Sequence, residues 1–401
     1  MPPEINFETP SGVLNLYRFP IDPQQKLRAW DAADEYVLSH LEDAPADQQR
    51  NRILVLGDAF GAMSLGLSLS LSKDQSSQNS KITVVSDSAV AHSAIAANAA
   101  ENEIDTKNIN LISSIGFSEL AEESTYDLVI VKIPKSLAQL EDSLSRIQTR
   151  VTADTQIIGA GMVKTVHNST LALFEKYIGQ TTSSLAKKKA RLIFASAEAY
   201  KAEIGPVPAK VFTVSAHISK TPDDLTLASY PGVFCHGSLD YGTQFLLKAM
   251  QVSESEVDIL DLGCGTGALG IAAAKRSPDS KVTFVDESSA AIESVKEGIR
   301  LSLSTDPTDQ YQALATHCLD GIADESQDLI LNNPPFHDAG ARNPGIALEM
   351  FKESRRVLRT NGQLQIVANL HLGYYRRLKD LFGNCETLAS NDKFVVLRTT
   401  K

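Results

Sequence analysis

The sequence predicts an α/β protein of two tandem units, each an open, mostly parallel sheet with helices on both faces. Three observations carry that expectation. At 401 residues the chain is too long for one ordinary core and suits two domains of roughly 200 residues. Short β-rich runs alternate with helical stretches, the pattern of βα units. And the two halves repeat each other. "ILVLGDAFGAM" (Ile53–Met63) matches "ILDLGCGTGAL" (Ile259–Leu269), and "KITVVSDSA" (Lys81–Ala89) matches "KVTFVDESS" (Lys281–Ser289). "YDLVIVKIPK" (Tyr126–Lys135) matches "QDLILNNPPF" (Gln327–Phe336), and "FEKYIGQ" (Phe174–Gln180) matches "LKDLFGN" (Leu378–Asn384). The pairs share one order and an offset of roughly 200 residues, which means twin domains rather than a solenoid.

In the second unit the expected strands are Asp258–Leu262, Lys281–Val285, Leu329–Asn332 and Gln363–Ala368. The expected helices include Ala268–Lys275, Ala290–Leu301 and Ile346–Leu358. "LKDLFG" and "KFVVLRT" read as a last helix and a closing hairpin strand. The segment 202–225, which holds Pro206, Pro208 and Pro222, reads as a linker whose strands bridge the halves. The expected domains are therefore 1–201 and 226–401.

Composition sets limits. A hydrophobic fraction of 43% and a charged fraction of 22% are those of a globular chain. No apolar run approaches the roughly 18 residues that span a bilayer. "MPPEINFETPSG" lacks the basic and apolar regions of a signal peptide, so a cytoplasmic protein is expected. Cys235, Cys264, Cys318 and Cys385 form no C-x-x-C pair; they read as reduced thiols, and no metal site is expected. A net charge of −11 argues against a protein that coats nucleic acid non-specifically. Local basic patches remain: "AKKKAR" (Ala186–Arg191), "SRRVLR" (Ser354–Arg359) and "YYRRLK" (Tyr374–Lys379). Each reads first as a solvated helix face or turn.

"DLGCGTG" (Asp261–Gly267) follows an apolar strand and opens a helix of small residues. Glycines there let backbone pass close to a ligand and turn tightly. The acidic pair Asp286-Glu287 ends the next strand, where a carboxylate can accept both hydroxyls of a ribose. No Lys-Ser/Thr follows the loop, so it is not a P-loop. NAD and S-adenosylmethionine both fit, and the glycine spacing does not separate them. The "NNPPF" corner does, together with Asp261, whose carboxylate can set the loop and hold the amino group of S-adenosylmethionine.

Asn333-Pro334-Pro335-Phe336 falls at the carboxyl end of a strand, the edge where open α/β sheets bind ligands. Two prolines fix the corner. The Asn333 side chain and the Pro334 carbonyl then form two convergent acceptors, suited to an exocyclic –NH2 that attacks a methyl group. Phe336 offers a face on which a flipped-out base stacks. A mere Pro-rich turn would not require the Asn before or the aromatic after.

These motifs resemble the class I amino-methyltransferases, whose pattern is a G-x-G loop, an acidic second strand and [N/D]-P-P-[F/Y/W]. "NNPPFH", the duplication, "LYRFPIDPQQKLRAWDAADEYVLSHL" (Leu16–Leu41) and "VANLHLGYYRRLKDLFGNCETLASNDKFVVLR" (Val367–Arg398) narrow the resemblance. The chain is similar, over nearly its whole length, to the RlmG-type 23S ribosomal RNA guanine-N2 methyltransferases of the RsmC/RlmG family. The resemblance implies two tandem class I (Rossmann-like) methyltransferase domains from an internal duplication, the N-terminal one degenerate. It implies S-adenosylmethionine as cofactor and 23S rRNA, free or partly assembled, as partner, with guanine 1835 as target. Carried over by motif, Asp261, Gly263, Gly265 and Gly267 look like the methionine loop and Asp286 like the ribose ligand. His317 and Cys318 lie where related enzymes meet the adenine. In "PGVFCHGSLDYGTQFLL" (Pro231–Leu247), Phe234, Asp240 and Gly242 match a segment that covers the cofactor, but His236 and Ser238 depart from the Arg and Gly that the pattern has there. Alternatives are a 16S rRNA enzyme of the RsmC type, an N-methyltransferase of DNA adenine or protein Gln, and a non-catalytic RNA-binding protein.

In the first half Val55, Ala59 and Ser86 replace Asp261, Gly265 and Asp286, and Lys132-Ile133-Pro134-Lys135 replaces the Asn-Pro-Pro-Phe corner. The strand pattern survives without the ligand chemistry, as in a recognition platform or a structural brace. Lys132, Lys135, Lys187, Lys188, Lys189 and Arg191 are candidates for RNA phosphate contact. His337, with His371, is a packing or substrate-side group.

Overall fold

The computed structural model describes residues 3–21, 25–43, 50–73, 80–119, 125–198, 204–253, 257–335 and 345–401. The chain divides into two compact units, Met1–Val207 and Pro208–Lys401. The first runs β1 (Asn6–Thr9), β2 (Gly12–Asn15), α1 (Ala32–Glu42), β3 (Arg52–Leu56), α2 (Ala62–Lys73), β4 (Lys81–Ser86), α3 (Ala89–Glu101), β5 (Ile109–Ser113), β6 (Leu128–Lys132), α4 (Leu137–Ile147), β7 (Gln156–Met162), α5 (Asn168–Tyr177), β8 (Thr181–Ser183) and β9 (Ala190–Ala195). The second runs β10 (Lys210–Val214), α6 (Ala216–Ser219), β11 (Leu225–Ser229), α7 (Tyr241–Ala249), β12 (Asp258–Leu262), α8 (Ala268–Arg276), β13 (Lys281–Asp286), α9 (Ser289–Leu303), β14 (Tyr311–Ala315), β15 (Gln327–Asn332), α10 (Gly345–Val357), β16 (Leu358–Asn369), α11 (Tyr374–Phe382), β17 (Glu386–Ser390) and β18 (Phe394–Thr400).

Each unit holds a seven-stranded sheet, in the order β5-β4-β3-β6-β7-β9-β8 and β14-β13-β12-β15-β16-β18-β17. The two orders are the same once each strand of the first unit is matched to its counterpart in the second. Five strands run parallel, and the last hairpin adds two antiparallel strands at one edge. The central strands are apolar on both faces because helices cover both. In β12, Ile259 packs on the α7–α9 side, while Leu260 and Leu262 pack on the α10–α11 side. Asp261 shares the face of Ile259 by the two-residue period of a strand.

Register ties the repeats together residue by residue. Leu56 lies opposite Val131 in the first sheet, and Leu262 lies opposite Asn332 in the second. Val55 therefore occupies the place of Asp261, and Lys132 the place of Asn333.

The segment expected as a linker is mostly part of the second unit. Its strands do not bridge the halves: β10 pairs with β11, antiparallel. The first unit has a matching hairpin, β1 with β2. Each is pinned to the helix after the second parallel strand. The Asn102 amide bonds both Asn15 N and Asn15 O, at 2.7 and 2.8 Å; the Ser302 hydroxyl does the same for Thr226, at 2.9 and 2.7 Å. Strands β14 and β17 were not expected. Both are edge strands, five residues long and largely exposed, and β17 is mostly polar, so they lack the long apolar run that marks a buried strand.

Candidate active site

Strands β12, β13 and β15 end at one edge of the second sheet, and the sequence-predicted residues gather there. Gly263, Gly265 and Gly267 all have positive φ, +66°, +53° and +76°, a region that side chains adopt at a cost. The first turn of the loop is fixed by Gly263 N and Cys264 N, which both donate to Val285 O. At Gly265 a side chain would project into open space, with no atom within 4 Å. That leaves a cradle beside the backbone. At Gly270, which sequence reasoning passed over, an added Cβ would lie 2.3 Å from the Phe284 ring; glycine there lets α8 settle onto β13.

Asp261 is fully buried. Its Oδ2 accepts from Gly270 N at 2.8 Å, which braces the first turn of α8. Its Oδ1 is buried without a partner among the described residues. Burial pushes this carboxyl up to about 8; the Gly270 N–H opposes the shift and the Asp286 charge adds to it. Asp286 ends β13, with Oδ2 accepting from Gly265 N at 2.9 Å and Oδ1 from Ser288 N at 3.0 Å. It ties the glycine loop to the next strand and stands, half-buried, at the sheet edge.

Asn333 leaves β15 beside the cap of α7. Its Nδ2 donates to Thr243 Oγ1 at 2.8 Å and to Asp240 Oδ2 and Oδ1 at 3.2 and 3.4 Å. Its Oδ1 is buried and has no partner among the described residues. The preceding Asn332 is fully buried; its Nδ2 donates to Leu262 O at 2.7 Å, which locks the two strand ends together. Pro334 is buried and Pro335 exposed, while Phe336 and His337 lie outside the described residues.

Asp240 stands at the start of α7. Its carboxylate caps α7 by accepting from Thr243 N at 3.0 Å, and it faces Asn333. Gly242 is buried in the first turn of that helix. Phe234 stands 71% exposed. The departing His236 bonds locally, its Nδ1 3.1 Å from Tyr230 O and 3.2 Å from Ser229 Oγ.

His317 and Cys318 follow β14. His317 Nε2 lies 2.9 Å from Glu349 Oε1 of α10. Cys318 is buried, with φ +43°. Ligand atoms of His317, Cys318 and Glu349 lie within 4.8 Å of one another. Burial and then the surrounding carboxylates, Glu349 foremost, push the Cys318 thiol well up.

In the first unit two of these places are taken up by the protein's own contacts. Asp58, in the place of Cys264, is buried and accepts from Gly61 N, Ser64 N and Ser64 Oγ at 3.0, 2.8 and 2.7 Å. Lys132 is not available to a phosphate as expected: its ammonium lies 2.8 Å from Asp31 and 2.5 Å from Asp34. Lys188 pairs with Glu35 at 2.7 Å, Lys187 lies over the Tyr36 ring, and Lys135 and Lys189 are exposed.

Comparisons with known proteins bear on both units. A family model described as the RLMG N-terminal domain matches residues 4–199, and one described as the methyltransferase small domain matches residues 224–398. Proteins named "Ribosomal RNA large subunit methyltransferase G" match along the chain. The one from Streptomyces griseus is 40% identical, covering 98% of this chain and 99% of its own. The one from Photobacterium profundum is 40% identical, covering 97% of each. Among solved structures, the T. thermophilus 16S rRNA N2 methyltransferase RsmC, in complex with AdoMet and guanosine, shares the fold. The TM-score is 0.75 at 22% identity, over 99% of this chain and 97% of that one.

Proposed function

This chain belongs to the ribosomal RNA large subunit methyltransferase G family, and on that premise we infer that it methylates the exocyclic N2 amine of a guanine in 23S rRNA, guanine 1835, with S-adenosylmethionine as donor. One observation carries the chemistry: both N–H groups of the Asn333 amide are held by protein, and among the described residues its carbonyl oxygen is not.

The residues present fit the cofactor. Among the described residues Asp261 Oδ1 is a buried acceptor without a partner, Gly265 leaves an open cradle, and Asp286 can accept from ribose hydroxyls while it holds the loop. When bound, S-adenosylmethionine supplies a methyl group on a sulfonium. The chain's own part is orientation. Asn333 Oδ1 and the Pro334 carbonyl accept the two N2 hydrogens, which turns the nitrogen lone pair out of conjugation with the purine. Asn333 is no base, and the proton lost by the amine leaves to water. Phe336 supplies the aromatic on which the flipped guanine stacks, and His337 acts as a packing or substrate-side group.

RNA contact by the first unit rests on the turn between β8 and β9. Lys188 and Lys189 have φ +49° and +65°, and Lys187 and Ala190 exchange both backbone bonds across them. This is the two-residue hairpin turn that favours Asn-Gly. Two lysines there cost about 1–2 kcal/mol each in backbone strain, and strain of this kind clusters at functional sites. Lys187 and Lys188 also line a cleft of about 470 Å³ with Arg28, Trp30, Glu35 and Tyr36. Among the described residues no helix is long and apolar enough to cross a membrane, and a cytoplasmic location fits the substrate.

The test is mass mapping of rRNA from cells lacking the protein, followed by methylation in vitro of that RNA, naked and in assembled subunits. One N2-methylguanine at position 1835, restored on naked 23S rRNA, is expected. Loss of a 16S methyl group, or transfer to DNA or protein instead, overturns the reading.

A further inference from the structure

We propose that Asp240 and Thr243 are positioning residues for the catalytic amide. They hold Asn333 in the one orientation that presents Oδ1 to the target amine, and Asp240 makes asparagine, not aspartate, the working residue at position 333. The proposal rests on the reading of Asn333 given above.

An asparagine amide can sit either way round, and its neighbours decide. Here the decision is forced. Thr243 Oγ1 donates its one proton to Asp240 Oδ2, at 2.5 Å, so it can only accept from Asn333. Asp240 is acceptor-only and is itself anchored by Thr243 N at the start of α7. A flipped amide would set Oδ1 against a carboxylate and a hydroxyl lone pair. The NH2 must therefore face Asp240 and Thr243, and Oδ1 must face away. A nearby negative charge on the NH2 side also polarises the amide and makes Oδ1 a better acceptor.

The silent unit is an internal control. Asp31 caps α1 as Asp240 caps α7, and Asp34 stands three residues on, as Thr243 does. Helix α1 packs on β7 and β9, as α7 packs on the matching β16 and β18. Lys132, in the place of Asn333, meets the same two positions at 2.8 and 2.5 Å. The cap, the third helical position and the strand end are thus a shared frame. With a lysine at the strand end that residue offers donors only, and no side-chain carbonyl stands there to accept from an amine. With asparagine it offers a carbonyl.

A carboxylate at position 333 would face Asp240 and repel it. The two side chains can, however, exchange types and keep the bond, which gives a test on the full-length protein. Single-turnover rate, RNA KM, S-adenosylmethionine affinity and thermal midpoint are measured for Asp240→Asn, Thr243→Val, Thr243→Ser, Asn333→Asp and the double variant Asp240→Asn/Asn333→Asp. Asparagine caps a helix as well as aspartate, so folding is retained. Asp240→Asn and Thr243→Val should each slow methyl transfer about tenfold or more, with cofactor affinity and KM within about twofold. Thr243→Ser should stay near wild type. Asn333→Asp should lose about 10²-fold, and the double variant should recover about tenfold of that loss. A double variant no faster than Asn333→Asp alone, or an Asp240→Asn whose rate falls only as its cofactor affinity falls, overturns the proposal. Normal turnover by Asn333→Ala would instead sink the reading of Asn333 itself.

Discussion

Asp261 shows how one residue can favour a ligand over stability. Its carboxyl titrates near 8 in the folded chain because burial disfavours the charge, against about 4 in an unfolded chain. Between those values the folded chain holds a proton that the unfolded chain has released. By linkage, this group's contribution to stability is present below about pH 4 and is lost as pH rises to about 8. Asp261→Asn should therefore flatten that part of the pH profile in ligand-free protein. Denaturant midpoints for both proteins across the range check it, and parallel profiles would refute the assignment. The variant should also bind S-adenosylmethionine more weakly. For Asn333, removal of the amide by Asn333→Ala should slow methyl transfer by about 10²-fold with little change in cofactor affinity, read by single-turnover kinetics against calorimetry.

Two elements of the first unit make opposite predictions about charge. The Lys188-Lys189 turn is strained and exposed, so replacing it with Asn-Gly suits the backbone. Lys188→Asn/Lys189→Gly should stabilise the protein by about 1 kcal/mol, net of the exposed pair with Glu35. It should also weaken RNA binding and reduce the slope of log affinity against log salt by about 1–2. Unchanged affinity at every salt concentration would leave the turn without an RNA role. Lys132 is the reverse case. Burial pushes Asp34 up to about 6 although Lys132 opposes the shift, and Asp31 adds to it. Lys132→Ala should leave a buried carboxylate unpaired and destabilise the first unit by about 3 kcal/mol, with the RNA salt slope unchanged. A thermal midpoint near wild type would show that the pair contributes little.

At the scale of the whole molecule the prediction is stoichiometric. Both sheets share one topology, yet only one glycine loop keeps its cradle and its carboxylates. Calorimetry on the intact chain should find one S-adenosylmethionine site, and two sites would contradict the closure of the first unit by Asp58 and Lys132. The repeat that led to this picture was legible at the parallel strands and glycine loops, where residue types match locally. It was not legible at α1 and α7, because "WDAADEYVL" and "LDYGTQFLL" share little beyond the capping aspartate. An acidic residue followed three positions later by Thr or Asp was the one signal available there. The linker was misjudged for a related reason: prolines mark a turn or boundary but do not say which unit a strand will pair with.

The sequence alone determined which half carries chemistry. Glycine at a tight turn, an acid at a strand end and Asn-Pro-Pro after a buried strand each express a local backbone requirement, readable from a few adjacent residues. Only the tertiary structure decided how charges are used. Of the basic patches, "SRRVLR" has its charges largely taken up in ion pairs, Arg356 with Asp324 and Arg359 with Asp258 and Asp328, while Arg355 is exposed, whereas "YYRRLK" leaves Arg376, Arg377 and Lys379 exposed on α11. Asn333 and Asp240 meet across 93 residues of chain. Such a contact depends on sheet register and on where a helix starts above the sheet, and neither is written in the residues around either partner.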